Sequence, residues 1–457
     1  MGNKEFQVIR DAARVRTDCQ GRDASHANRS CGTVRIGGPM EGRIPRMVAE
    51  QLDAADPLAE FRDRFVHADP ELIYLDGNSL GRLPAATTDR LRGVVEEDWG
   101  SGLVGSWREW IDWTARLGDR LAQHVLGARP GEVVVSDSTS VNLYKLACAA
   151  LDAAPRRGTV LIDAEDFPTN RYVMQGIAEQ RGLRLRQLSS DIDGGLDLDV
   201  LRCALTPDVA VVVLSLVSYR SGALLDMAEV NELARTVGAR VVWDVSHAAG
   251  AVPIDVTATG TELAVGCTYK YLNGGPGAPA FLYVCRELQT RLRQPIWGWF
   301  GQREQFQMGP DYDPMPSIER FLVSTPPLLS LAALDPALTV IEEAGMARIR
   351  EKGLLLGRLA DDLVDTMLTP LGFVPASPRS PYRRGSHVSL YHPHAWQICQ
   401  ASAEEAKVVC DYRVPDRLRI GLSPLYTRFT DIWDGIARIR EVTVGQSDTS
   451  DPPIRRG

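Results

Sequence analysis

Residues 240–277 read RVVWDVSHAAGAVPIDVTATGTELAVGCTYKYLNGGPG, and two apolar runs in this stretch each end on a charged side chain. The first run closes on Asp244, with His247 just beyond it. The second, AVGCTYK, closes on Lys270, ahead of the turn Asn273-Gly274-Gly275-Pro276-Gly277. Runs that are apolar without alternation fit strands of a parallel sheet covered on both faces. In an open parallel sheet, ligands gather at the carboxyl ends of the strands. Most lysines are solvated surface groups, and only the acid at a second strand end gives Lys270 weight. A pyridoxal cofactor needs both groups, an amine to attach it and an aspartate to keep its pyridine nitrogen protonated. Pyridoxal 5'-phosphate, attached at Lys270 and paired with Asp244, is the cofactor this stretch predicts.

Outward from here the strand–helix alternation continues. Gly131–Val135, Thr159–Asp163 and Val209–Leu216 read as strands, with helices over Ser138–Leu151, Tyr172–Arg181 and Met227–Val237. Gly277–Val284 reads as a further, antiparallel strand. Ser136-Asp137-Ser138-Thr139-Ser140 joins a strand to a helix, where free N–H groups and the positive dipole end suit a phosphate. Plain N-capping by Ser and Thr explains the same residues. After Pro326-Pro327 the pattern turns to helices, Leu328–Ala344 and Ala347–Met367, then short strands at Val388–Leu390 and Leu418–Leu422 and a last helix over Phe429–Val442.

The predicted fold class is thus α/β, a large domain with a mostly parallel sheet followed by a smaller C-terminal α+β domain. The expected divisions are a disordered, basic extension over 1–46 and an N-terminal helical segment over 47–75, opening with an amphipathic helix at 47–66. A large cofactor-binding domain over 76–335, a small domain over 336–444 and a polar tail over 445–457 follow.

Composition narrows the function classes. With 44% hydrophobic and 24% charged residues among 457, the chain has ample material for a globular core. A net charge of -8 without a like-charged block lacks the basic footprint of a nucleic-acid binder. Eight cysteines without CxxC pairing predict reduced thiols in a cytoplasm. No apolar run reaches the roughly 18 residues of a membrane helix, and no apolar N-terminal segment suggests a signal peptide. His392 and His394 in YHPH lack acidic partners, so no metal is expected.

The segments YLDGNSLG, DWGSGLVGSW, DFPTNRY, WDVSHAAGAVPID, GCTYKYLNGGPG, GWFG, TPPLLSLAAL, RGSHVSLYHP and LRIGLSPLYTRFTD resemble the kynureninases, in the family's order, from about residue 50 to 443. The resemblance implies an aspartate-aminotransferase-like (fold type I) homodimer with active sites at the subunit interface. It implies hydrolytic Cβ–Cγ cleavage of L-kynurenine, 3-hydroxykynurenine or both, giving the anthranilate and L-alanine, a reaction of the kynurenine pathway that serves tryptophan catabolism or NAD biosynthesis. Thr139 and Ser140 would hold the phosphate, helped by Ser215 and Tyr269, and Phe167, Thr169 and Asn170 would contact the cofactor. Asp244 would pair with the pyridine nitrogen, His247 would sit beside the ring hydroxyl, and Lys270 would carry the covalent link. Trp299 and Thr325 would reach the neighbouring subunit's phosphate. Arg419 would clamp the substrate carboxylate, a bidentate task that suits Arg better than Lys. Asn78 joins the substrate site, and Trp107, Ser324 and Thr325 would meet the aniline ring. Tyr269 would serve proton traffic at the β-carbon.

Two departures stand out: Asn170 where the family often has an acid, able to accept a hydrogen bond but not to add charge, and Gln302 after GWFG. Two rival readings are a cysteine desulfurase and a pyridoxal-fold protein that only binds. The first needs a mobile nucleophilic cysteine, and no cysteine lies between Cys285 and Cys399. Retention of Lys270, Asp244 and Arg419 opposes the second.

Overall fold

Valine and leucine runs dictate the centre of the molecule. The computed structural model describes residues 44–447, so the expected extension over 1–43 and the last tail residues, 448–457, lie outside the described residues. After a short strand β1 (Ile73–Tyr74) come β2 (Val133–Val135), β3 (Thr159–Asp163), β4 (Arg184–Leu188), β5 (Val209–Ser215), β6 (Arg240–Asp244), β7 (Leu263–Gly266) and β8 (Phe281–Val284). The last seven form one sheet in the order β2-β8-β7-β6-β5-β3-β4. From β7 across to β4 the pairs are parallel, whereas β8 is antiparallel to both neighbours. Successive strand residues enter opposite cores: Val212, Leu214, Val241 and Trp243 on one side, Val211, Val213 and Val242 on the other. Both faces are covered, so the strand sequences do not alternate. Each such side chain, once fully buried, stabilises the fold by about 1.5–3 kcal/mol.

Several expected boundaries move for identifiable reasons. The helix expected over 47–66 stops early: α1 spans Arg46–Ala54 and a single 3-10 segment follows at Ala59–Arg64. Pro57 has no N–H to donate and disfavours helix at Asp56, whose carboxylate instead pairs with the buried Lys352 at 2.7 Å. The helix α2 (Thr139–Asp152) starts at the expected place. The next, α3, spans Pro168–Arg181, starting earlier than Tyr172 because proline is well suited to a first helical position. The strand expected to end on Lys270 ends at Gly266, leaving Lys270 in the loop that follows. The last helix, α4 (Phe429–Ser447), runs into the segment expected as tail.

The C-terminal part carries β9 (Val374–Pro375), β10 (His387–Tyr391), β11 (Val408–Val409), β12 (Asp411–Arg413) and β13 (Arg417–Gly421). Four of these form an antiparallel sheet in the order β12-β13-β10-β9, while β11 pairs in parallel with β1. Its core, built on Leu390, Leu418, Ile420, Phe429 and Ile436, is completed by Ala49, Ile73 and Leu75 from the chain's start. Asp53 at the end of α1 accepts from the Phe429 N–H at 2.6 Å and the Thr430 N–H at 3.1 Å, satisfying first-turn donors of α4.

Candidate active site

The carboxyl ends of β5 and β6, the loop after β7 and the start of α2 enclose a cavity of about 200 Å³. Thr139, Ser140, Phe167, Thr169, Asn170, Ser215, Asp244, His247, Tyr269 and Lys270 all line it. Ten residues singled out in the sequence therefore converge on one space, joined by Ser138 of the same strand–helix junction and by Tyr219, Ser246 and Cys267, to which the sequence reading gave no role in the site.

The rim at α2 is shaped by the loop before it. Ser138 is the N-cap, its hydroxyl accepting from the Val141 N–H at 3.3 Å. Capping thus falls to Ser138, which leaves the Thr139 and Ser140 hydroxyls on the cavity wall beside the positive helix end. Asp137 takes the left-handed conformation, φ 53°, uncommon outside glycine and asparagine. The buried Lys145 holds it there, donating to Asp137 Oδ2 at 2.6 Å and to the Phe321 carbonyl at 2.8 Å.

Around Asp244 the partners are specific. The Ser246 N–H donates to its Oδ1 at 2.9 Å and the Asn170 amide donates to its Oδ2 at 2.9 Å. Asn170 was expected as an acceptor; facing a carboxylate, it is a donor. Behind them sits Asp166, absent from the sequence reading although it directly precedes the FPTN segment. Ser215 donates its hydroxyl to Asp166 Oδ1 at 2.6 Å, so that hydroxyl is engaged within the protein. Burial, with the Asp244 charge nearby, lifts the Asp166 carboxyl to about 7.

A carboxyl raised in the folded state binds its proton more tightly there than in the unfolded chain. Its contribution to stability is full below the ordinary carboxyl range, near 3.8, and is lost as pH rises towards about 7. Asp166→Asn should therefore flatten the decline of the melting temperature between those pH values. Parallel wild-type and variant melting curves would show Asp166 already ionised in the fold.

Lys270 Nζ lies 2.8 Å from His247 Nε2, 5.9 Å from the Phe167 ring and 5.8 Å from the Tyr269 ring. Burial lowers the Lys270 pKa from its ordinary value. His247 is held well below its usual range, first by burial and then by the Lys270 charge, so its imidazole is neutral. Its Nδ1 is buried without a hydrogen-bond partner among the described residues, and the ring of the buried His387 stands 5.6 Å away. His387 lies inside the quoted RGSHVSLYHP segment, but no strand-end signal marked it. The loop after Lys270 is fixed by a close approach: a Cβ on Gly81 would stand 2.3 Å from Asn273 Oδ1 and 2.4 Å from the Lys270 carbonyl. Only glycine fits there, and the Gly81 N–H donates to the Tyr269 carbonyl at 2.8 Å.

These groups fit pyridoxal phosphate. Hydroxyls at a helix N-terminus suit its phosphate, a buried carboxylate its pyridine nitrogen, and a lysine of lowered pKa its aldehyde carbon. The unpartnered His247 Nδ1 leaves polar capacity for a ligand.

The other residues singled out do not line this cavity. Trp107 is packed against both cores, 5.9 Å from the Trp110 ring. Trp299, Ser324 and Thr325 stand exposed on loops held together by Gly298, where a Cβ would meet the Val323 carbonyl at 1.7 Å. Asn78 and Arg419 are fully buried beside Tyr219, in a polar cluster with Ser79 and Asp411. The described residues contain no group of three or more His, Cys, Asp or Glu side chains placed to hold a metal, nor a helix long and apolar enough to cross a membrane.

Residues 114–389 match the family described as Aminotransferase class-V, and residues 349–439 match the Kynureninase C-terminal domain. The chain is 42% identical to a kynureninase of Pseudomonas fluorescens over 400 residues, covering 86% of this chain and 94% of that one. It is 40% identical to a kynureninase of Burkholderia pseudomallei over 405 residues, 87% and 95% of the two chains. Among solved structures, a cysteine desulfurase from Escherichia coli superposes with a TM-score of 0.71 at 18% identity, covering 84% of this chain and 98% of that one. A cystine C–S lyase variant carrying glycine linked to its pyridoxal cofactor gives 0.71 at 19% identity, over 83% and 99%. Identities this low speak for the fold alone.

Proposed function

The chain belongs to the kynureninase family, and from that premise we propose that it hydrolyses the Cβ–Cγ bond of L-kynurenine, its 3-hydroxy derivative or both, with pyridoxal phosphate. The observation that carries the reading to the chemistry is Lys270, of lowered pKa, in one cavity with the anchored carboxylate of Asp244.

When bound, pyridoxal phosphate supplies an electron sink for charge developing next to the substrate's α-carbon. Thr139 and Ser140 would hold its phosphate, Thr169 would contact the cofactor from the cavity wall, and Phe167, edge-on to Tyr219 at 5.3 Å, would cover its ring. Asp244, its two oxygens each met by a donor, would hold the ring nitrogen's proton. Lys270, its ammonium form disfavoured by burial, would be the group to take the α-proton. Burial raises the Tyr269 pKa, so its phenol stays protonated and can deliver a proton to the β-carbon. Arg419 would grip the α-carboxylate. Release of anthranilate-type fluorescence and L-alanine from kynurenine and 3-hydroxykynurenine is the test. Sulfide from cysteine, with neither product from kynurenine, would favour the desulfurase reading instead.

The assembly we propose is a homodimer. Trp299, Ser324 and Thr325 are exposed, and the ring of Phe306, 68% exposed, stands 6.2 Å from that of Trp299, more apolar surface than an isolated turn needs. A second copy seated there would carry these residues to its own cavity, and sedimentation should give twice the chain mass.

Ring preference would depend on Trp107 and Ser324 meeting the substrate ring, as the family resemblance implies. Trp107 would then favour an unsubstituted ring by packing, whereas the Ser324 hydroxyl could pair with a ring hydroxyl that would otherwise cost about 1–3 kcal/mol to bury. Kynurenine and 3-hydroxykynurenine should therefore be turned over with comparable kcat/KM, and Ser324→Gly should shift the ratio towards kynurenine. A wild-type preference for kynurenine beyond about a hundredfold, roughly 2.7 kcal/mol, or an unmoved ratio in the variant, would count against hydroxyl pairing.

A further inference from the structure

Arg419 sits on β13 directly across from Asp411 on β12. A guanidinium has five N–H donors, and those of Arg419 are nearly all engaged by the protein. Its Nη1 donates to the Tyr219 carbonyl, and its Nη2 donates to Asp411 Oδ2 and, at 2.9 Å, to Ser79 Oγ. With its amide oxygen turned towards the guanidinium, Asn78 accepts from Nε at 2.7 Å and Nη2 at 2.8 Å. A carboxylate arriving from a substrate cannot take two donors along one edge without displacing a resident acceptor, and the charged resident is Asp411. Arg413 Nη2 already stands 2.8 Å from the same Asp411 oxygen and 3.1 Å from Ser79 Oγ. One aspartate is thus shared by two arginines, of which Arg419 is fully buried and Arg413 one-third exposed.

We propose that Asp411 is a built-in competitor: the substrate's carboxylate displaces it from Arg419, and Arg413 retains it after the exchange. This rests on the reading of Arg419 as the carboxylate-binding residue. After the exchange each guanidinium has its own carboxylate, and neither Arg419 nor Asp411 is left as an unpaired buried charge, a state that costs several kcal/mol. Asp76 faces the same cluster. Its carboxyl, raised to about 6 by burial and by the Asp411 charge, is pushed further towards its neutral form as another carboxylate arrives. Asp411 therefore tunes affinity, whereas Arg419 provides it.

The experiment compares KM for kynurenine, and the dissociation constant of L-alanine by calorimetry, in the cofactor-loaded enzyme and its variants. Asp411→Asn keeps the shape and removes the competing charge, so both constants should fall by about three- to tenfold. Arg413→Gln, at a partly exposed position, leaves Asp411 on Arg419 without its second holder, so both should rise at least about fivefold. Combining the two should return the values of Asp411→Asn, because no competitor remains to be held. If Asp411→Asn weakens both ligands as Arg419→Ala does, Asp411 orients Arg419 and the exchange is wrong. If Asp411→Asn does not fold, an unchanged or lowered KM in Arg413→Gln overturns it equally. An Arg419→Ala enzyme with normal KM and L-alanine affinity would instead remove Arg419 from the carboxylate site, a separate failure.

Discussion

Lys270→Ala should have no measurable turnover of kynurenine and should lose the visible absorption of a covalently held cofactor, which borohydride bleaches in the wild type. Lys270 is the amine in the cavity, with Nζ 2.8 Å from His247 and close to the Phe167 and Tyr269 rings. Its lowered pKa favours the neutral amine, which is the form that attaches to a carbonyl and accepts a proton. Lys270→Arg should fail as well, because a guanidinium remains charged and is a poor nucleophile. The loss comes in two separable parts: the variant still binds cofactor non-covalently through the hydroxyl rim, so a dialysable, inactive complex is the expected product. Wild-type rates from either variant would remove Lys270 from the chemistry.

Asp244→Asn should retain cofactor but lose at least about a hundredfold in kcat, roughly 2.7 kcal/mol. Asp244 is 6% exposed and its two oxygens are held separately by the Ser246 N–H and the Asn170 amide. The substituted amide could keep one of these bonds but would turn its own N–H groups on one donor, so both geometry and charge suffer. The missing negative charge is the larger effect, since it sustains the proton on the ring nitrogen. Measuring kcat at saturating cofactor separates this from weakened binding, and a variant within a few fold of wild type would make Asp244 a purely structural acid.

The centre of the fold was legible because its strands are buried on both faces and read as unbroken valine runs. The strand RLRQL at 184–188 was not, because an edge strand with mostly exposed side chains carries the charges of a loop. At the site, Asp244, His247 and Lys270 could be found because each follows an apolar run within a few residues. Asp166 could not, because it matters through Ser215, which only the fold brings near, and Asp411 could not, because its pairing with Arg419 depends on the register between β12 and β13. Distance in sequence hid the saturation of Arg419, whose other acceptors come from Asn78, Ser79 and Tyr219.

The join between the two ends of the chain has a consequence for biosynthesis. Strand β1 pairs with β11, and Asp53 caps α4, so residues 46–75 leave the ribosome long before residues 408–430, their partners, are made. At about 5–20 residues per second that wait is on the order of tens of seconds. During it Ala49, Ile73 and Leu75 lack the C-terminal core that buries them, and their apolar side chains stay open to association. These three positions are thus synthesised early and buried late.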